Sequence, residues 1–291
     1  MNTGIYYDQV YGWVHNLDPV LVSLGSLQIR YYGAVFALTL WIAFMFWDWQ
    51  MRRGGYPKPL IDSIILYGVV GTVAGARLGH CLFYEWDIYG ADPWRILKFW
   101  EGGLASHGAT AGIILALMLY CWRHKLNFWE MADRFTFSAA TGAAGVRLGN
   151  FLNSEIVGRE TAWAGGMRFV RFDAFPGGEA TNLAAIPVRH PSQLYEFALG
   201  VAVWLALWAA DRALGKEKRP RAALFGLFLG LYFLGRFALE YFKEYQTDLR
   251  LSQGLTMGQY LSIIPCLLGW VIFAVALGRR KKAEGSADGQ K

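Results

Sequence analysis

Seven stretches of this 291-residue chain are apolar for long enough to cross about 30 Å of hydrocarbon, at residues 30–49, 61–84, 104–122, 135–152, 191–210, 224–241 and 258–278. A chain of that kind has few folds open to it, because lipid leaves no solvent for an unpaired backbone group and each span must satisfy its own hydrogen bonds as a helix. We therefore expect an all-α polytopic membrane protein of about seven transmembrane helices. The composition agrees, with 55% hydrophobic residues, 17% charged residues and 13 Trp.

The formal charge of +6 is not a nucleic-acid signature. The basic residues fall in short clusters between spans: Arg52, Arg53 and Lys58; Arg123, His124 and Lys125; Arg212 to Arg221; and Arg279 to Lys282. Alternate loops are basic, which under the positive-inside rule puts the N-terminus outside and the C-terminus in the cytoplasm. No nucleic-acid partner is expected. Cys81, Cys121 and Cys266 lie within or at the ends of apolar segments without paired or metal-type spacing, so buried free thiols are expected, and neither a metal nor a cofactor. The first residues lack a basic region followed by an apolar core, which leaves targeting to the first span.

Three parts follow. Residues 1–29 read as an aromatic extracytoplasmic arm at the membrane interface, 30–278 as the seven-span domain, and 279–291 as a disordered cytoplasmic tail. Inside the spanning domain, the long polar insertion 153–190 reads as a small extracytoplasmic head, with strand character in the alternating run 167–172.

Polar groups concentrate around residues 141–159, TGAAGVRLGNFLNSEIVGR. Gly142, Ala143, Ala144 and Gly145 allow a neighbouring helix to come close, and Arg147, Asn150 and Ser154 recur at helical spacing on one face. A charge in a membrane span costs roughly 2.5–3.5 kcal/mol on insertion scales, so it is kept for a partner or a task. The string from Ala74 through Arg77 to His80, with Glu85 beyond, matches Ala144 through Arg147 to Asn150, with Glu155 beyond. The second and fourth spans thus read either as parallel copies or as small-residue helices converging on similar strings within a biased composition, and Arg236 in the sixth falls at a comparable depth. Duller readings compete. Arg236 and Glu240 stand at i and i+4 and would neutralise each other on one helix, and His107 would serve as a helix cap or a hydrogen-bonded core histidine. His190, ahead of a proline, reads as a structural cap. Polar spans also occur in transporters, although those often carry inverted repeats and here the repeat is parallel.

The strings ASHGA around His107, GVRLGNFLNSEIVGR, RHPSQLYE from Arg189 to Glu196, and GRFALEYF from Gly235 to Phe242 together resemble the phosphatidylglycerol:prolipoprotein diacylglyceryl transferase family over nearly the whole chain. Two positions depart from the family pattern: Ala109 follows His107-Gly108 where a second glycine is usual, and Ser154 stands where a glycine is usual. The resemblance implies transfer of a diacylglyceryl group from phosphatidylglycerol to the lipobox cysteine in the signal peptide of a prolipoprotein, in the midst of membrane lipids, and implies that the membrane is the bacterial cytoplasmic (inner) membrane. It implies site residues His107, Arg147, Asn150, Glu155, Gly158, Arg236 and Glu240, with Tyr32 and Tyr232. The chemistry of these residue types fits. Arg147 and Arg236 offer forked donors to a phosphodiester, Asn150 offers a hydrogen bond to a glycerol hydroxyl or phosphate oxygen, and His107 is the candidate base for a thiol. Glu155, Gly158, Tyr32, Tyr232 and Glu240 are expected to bind substrate rather than react.

Overall fold

The computed structural model describes residues 3–25, 27–98, 103, 105–173, 182–244 and 254–288. Long helices form where apolar length requires them: α1 Tyr31–Arg53, α2 Lys58–Phe83, α4 Ser106–Arg123, α5 Phe128–Leu152, α7 Ser192–Ala213, α8 Ala223–Leu239 and α9 Met257–Asp288, with short α3 Trp86–Ala91 and α6 Val170–Asp173 between them. Five of these, α1, α2, α7, α8 and α9, are long and apolar enough to cross a membrane. Helix α5 is long but carries Glu130, Asp133, Arg134 and Arg147, and α4 has only 18 residues. The tail expected to be disordered continues α9 as helix as far as Asp288, and residues 289–291 lie outside the described residues.

The chain divides into two compact units, residues 46–135 and residues 1–45 with 136–291. In the first, α2 and α4 meet through facing small residues. A Cβ at Gly75 would stand 2.7 Å from the Gly112 Cα, and one at Gly79 would stand 2.6 Å from the Gly108 Cα, so the two backbones touch and only glycine fits. The Arg77 guanidinium turns back on the loop after α2, donating to the carbonyls of Ile96 at 3.0 Å and Arg95 at 2.6 Å. His80 pairs with Glu85 at 3.2 Å.

The second unit carries the sheet. The segment 1–29, expected as an interfacial arm, is built of strands. β1 Gly4–Asp8 and β2 Gly12–Asn16 form a hairpin whose turn is held by Asp8 Oδ1 accepting from the amides of Val10 and Tyr11, and β3 Val20–Leu24 with β4 Leu27–Arg30 form a second hairpin leading into α1. β2 then pairs in parallel with β5 Met167–Phe169, and β5 pairs antiparallel with β6 Val188–Arg189, giving the order β1-β2-β5-β6. Arm and insertion thus share one sheet. The strand expected over 167–172 stops at Phe169, where the chain turns into α6. Phe151, Val157, Met167 and Phe169 bury their side chains together beneath this sheet, at the end of α5.

Candidate functional site at the ends of α5, α7 and α8

The small residues of α5 do admit close neighbours: a Cβ at Gly145 would collide with Thr39 of α1, and one at Gly200 of α7 would stand 2.8 Å from the Ala144 Cβ. That packing lets α1 and α7 lie close beside α5 where it presents Arg147 and Asn150. Glu196, in the second turn of α7, is 3% exposed and stands at the centre of the site. The Arg147 Nε lies 3.1 Å from its Oε2, the Arg236 guanidinium of α8 pairs with its Oε1, and the Lys243 ammonium stands 3.9 Å from the same oxygen. Lys243 also faces Glu240 at 3.5 Å. Three cations therefore meet two carboxylates in these pairs, an excess of one positive charge in a place that burial makes expensive. Burial pushes the Lys243 ammonium below its ordinary value even though Glu196 and Glu240 face it.

The competing reading, in which Arg236 is neutralised by Glu240, gives way to a pairing of Arg236 with Glu196. The backbone register between Arg236 and Glu240 is intact, since Glu240 stays in the right-handed helical region and its amide donates to the Arg236 carbonyl; it is the Arg236 side chain that turns across to α7. The Glu240 carboxylate instead packs against Gly258 of α9, where a Cβ would stand 2.5 Å from the Glu240 Cδ. On α5, Arg147 donates to the Asn150 Oδ1 at 3.3 Å, and the Asn150 amide donates to the Glu155 Oε2 at 3.4 Å. Arg147, Asn150, Glu155, Arg236 and Glu240 are thus joined by one chain of polar contacts through Glu196 and Lys243. Tyr32 of α1 packs its ring where a Cβ at Gly149 would stand 2.9 Å away, within electrostatic reach of Arg147 and Glu155. Tyr232 lies one turn before Arg236 and stacks on Phe228 at 5.5 Å.

Ser154, expected on the helical face of Arg147 and Asn150, lies beyond the end of α5. Its φ is +56°, and Ile156 follows at +57°, left-handed values that cost a non-glycine residue on the order of 1–2 kcal/mol each. The glycine usual in the resembled family would take the first of these freely. Here the Ser154 hydroxyl is 2.9 Å from the Nδ1 of His15 in β2, a fully buried histidine that burial pushes down to about 4 and so keeps neutral at pH 7. Gly158 is held in a three-way junction: its amide donates to the His190 carbonyl at 3.0 Å, it pairs with Lys243, and a Cβ there would stand 2.6 Å from the Phe242 carbonyl. Its position is explained by close backbone approach. His190 is not a cap: α7 is preceded by Pro191, and the His190 Nδ1 lies 3.1 Å from the Tyr195 hydroxyl. His107, in the first turn of α4, is exposed and so not a core histidine, and the residue before the helix, Ala105, makes no side-chain cap. It belongs to the 46–135 unit. Among the described residues no cluster of His, Cys, Asp and Glu is arranged to hold a metal ion.

Long apolar helices with a small sheet, and a buried cluster of ion pairs at helix ends, define a multi-pass membrane protein. The chain belongs to the prolipoprotein diacylglyceryl transferase family, whose profile matches residues 19–275. It is 38% identical over 267 residues to the phosphatidylglycerol–prolipoprotein diacylglyceryl transferase of Tolumonas auensis, covering 91% of this chain and 98% of the relative. Proteins of the same name from Burkholderia lata and Burkholderia cenocepacia are 36% and 35% identical over 304 residues, covering 94% of this chain and 98% of theirs.

Proposed function

We propose that this chain transfers the sn-1,2-diacylglyceryl group of phosphatidylglycerol to the lipobox cysteine of a prolipoprotein. The thiolate attacks the glyceryl carbon, a thioether forms, and the carbon–oxygen bond breaks to release glycerol phosphate. The observation that carries this reading is the convergence of Arg147 and Arg236 on one carboxylate, Glu196, at the helix ends. A guanidinium has five N–H donors; the described hydrogen bond of Arg147, to Asn150, uses one of them, and Glu196 holds the group by charge at 3.1 Å. Glu196 therefore orients both forks, and their remaining donors take the phosphodiester. Charge grows on the leaving oxygen as the bond breaks, so fixed cations stabilise the transition state more than the bound lipid. Asn150, Glu155, Glu240, Tyr32, Tyr232 and Gly158 shape the headgroup pocket. Reconstituted into vesicles of phosphatidylglycerol labelled in its acyl chains, the protein should label a lipobox peptide, and should leave the same peptide unlabelled when its cysteine is replaced by serine.

In this reading all seven long helices cross the bacterial cytoplasmic membrane, the sheet formed by 1–29 and 153–190 is the extracytoplasmic head, 30–278 is the spanning domain, and 279–291 is cytoplasmic. Glu160 and Lys218, both exposed, lie beyond opposite ends of α7. In a background lacking Cys81, Cys121 and Cys266, single cysteines at these two positions should react with an impermeant reagent from opposite sides, Glu160 from outside. Labelling of both from one side in intact spheroplasts would overturn the topology.

His107 is the proposed base for the thiol. His107→Gln should keep phosphatidylglycerol binding and turn over slowly, with a defect that shrinks between about pH 7 and pH 9 as the peptide thiol, near 8.5 in water, ionises by itself. A wild-type to mutant rate ratio that stays flat across this range would remove the base role.

A further inference from the structure

We propose that Gln193 and Ser192, the first two residues of α7, are positioning residues that aim the Glu155 carboxylate. The proposal rests on the reading that Glu155 touches the substrate. From Ser154 to Gly158 the chain is buried or half-buried except at Glu155, which is exposed. On either side of it stand the two left-handed residues, Ser154 and the β-branched Ile156. Such a turn persists only where its surroundings over-determine it. They do so here from two directions. The Gln193 amide donates to the Glu155 carbonyl at 2.8 Å, and the Ser192 hydroxyl donates to the Ile156 carbonyl at 3.2 Å. Across the turn, the buried His15 holds the Ser154 hydroxyl. Gln193 is fully buried and Ser192 is 1% exposed, so neither is placed to meet a substrate itself; each grips the backbone of the residue that is. The same two residues begin the helix that carries Glu196, three positions after Gln193. One helix start therefore fixes the direction of Glu155 and the anchor of Arg147 and Arg236 together.

The test is a double-mutant cycle on the full-length enzyme in phosphatidylglycerol vesicles, reading kcat and KM for a lipobox peptide. Gln193→Ala alone should lower kcat/KM about tenfold, the scale of losing one hydrogen bond that holds the turn. Against a Glu155→Gln background the same change should cost less than about twofold, because a turn that no longer presents a carboxylate has nothing left to aim. Ser192→Ala should follow the same pattern with a smaller effect, and guards against a Gln193 variant that fails to fold. Equal losses in both backgrounds, or full activity in both alanine variants, would overturn the positioning role while leaving Glu155 at the substrate. A Glu155→Gln enzyme as active as wild type would instead remove Glu155 from the substrate, and the positioning role with it.

Discussion

Glu196→Ala is expected to destabilise the protein by about 3–5 kcal/mol, the range for breaking a buried ion pair by deleting one partner. Among the described residues, Arg147, Arg236 and Lys243 would be left with Glu240, facing Lys243, as the one carboxylate in their ion pairs, and each is less than one-fifth exposed in its side chain. For a chain of this size the loss corresponds to a melting point lower by on the order of 10 °C in detergent. Phosphatidylglycerol should restore part of it, because a phosphodiester brings a negative charge to the place the carboxylate vacated, and a ligand that binds only the folded state stabilises it. Zwitterionic lipid should restore none. A variant that melts within about 2 °C of wild type would show that the cations find other partners, and Glu196 would lose its central place.

That residue lay in plain view in the string RHPSQLYE, and the insertion-cost argument that singled out Arg147 applies equally to an acid in the first turns of an apolar span. What hid it was partner choice. Sequence spacing offered Arg236 the local partner Glu240, and no one-dimensional rule shows that the side chain reaches across to α7 for a residue forty positions away. The helices themselves were legible because apolar length is a property of a segment alone: 61–84 was expected where α2 runs Lys58–Phe83, and 191–210 where α7 runs Ser192–Ala213. The sheet was not. Only β5 registered, inside the alternating run 167–172; β6 is two residues, too short to show a pattern, and β2 finds its partner more than 150 residues downstream. Aromatic residues in 1–29 suited a membrane interface and a strand equally well. Ser154 failed for a different reason, since helical spacing continues on paper past Leu152, where the backbone has already turned left-handed.

The two similar strings around Arg77 and Arg147 make similar local contacts. In the first copy His80 pairs with Glu85, and in the second Asn150 pairs with Glu155, so the residue three after the arginine meets the acid eight after it in both. The arginines have parted. Arg77 donates to backbone carbonyls of the following loop, which ties down chain that would otherwise need other partners. Arg147 meets a carboxylate and an amide, side chains that a bound phosphate can share or displace. The same local arrangement is a loop staple in one unit and, in the other, part of the ion-pair cluster around Glu196.

Arg147→Lys and Arg236→Lys are each expected to lower turnover about a hundredfold, the scale seen when one preorganised donor is removed from a developing oxyanion. Charge is unchanged in both, so the argument is geometric. Arg147 holds Glu196 through Nε at 3.1 Å and Asn150 through a terminal nitrogen at 3.3 Å, two atoms in different directions that a single ammonium cannot reach together while also meeting a phosphate oxygen. The net charge of the cluster stays as it was, so these variants should melt much closer to wild type than Glu196→Ala does, and the contrast separates a failure of chemistry from a failure of packing. The form of the defect matters too. A clamp that acts on the leaving oxygen should lose kcat with KM for phosphatidylglycerol little changed, whereas one that merely gathers lipid should raise KM and spare kcat. Near wild-type kcat in both lysine variants, at matched amounts of folded protein, would remove the two arginines from the transition state and leave Glu196 as the anchor of a structural cluster alone.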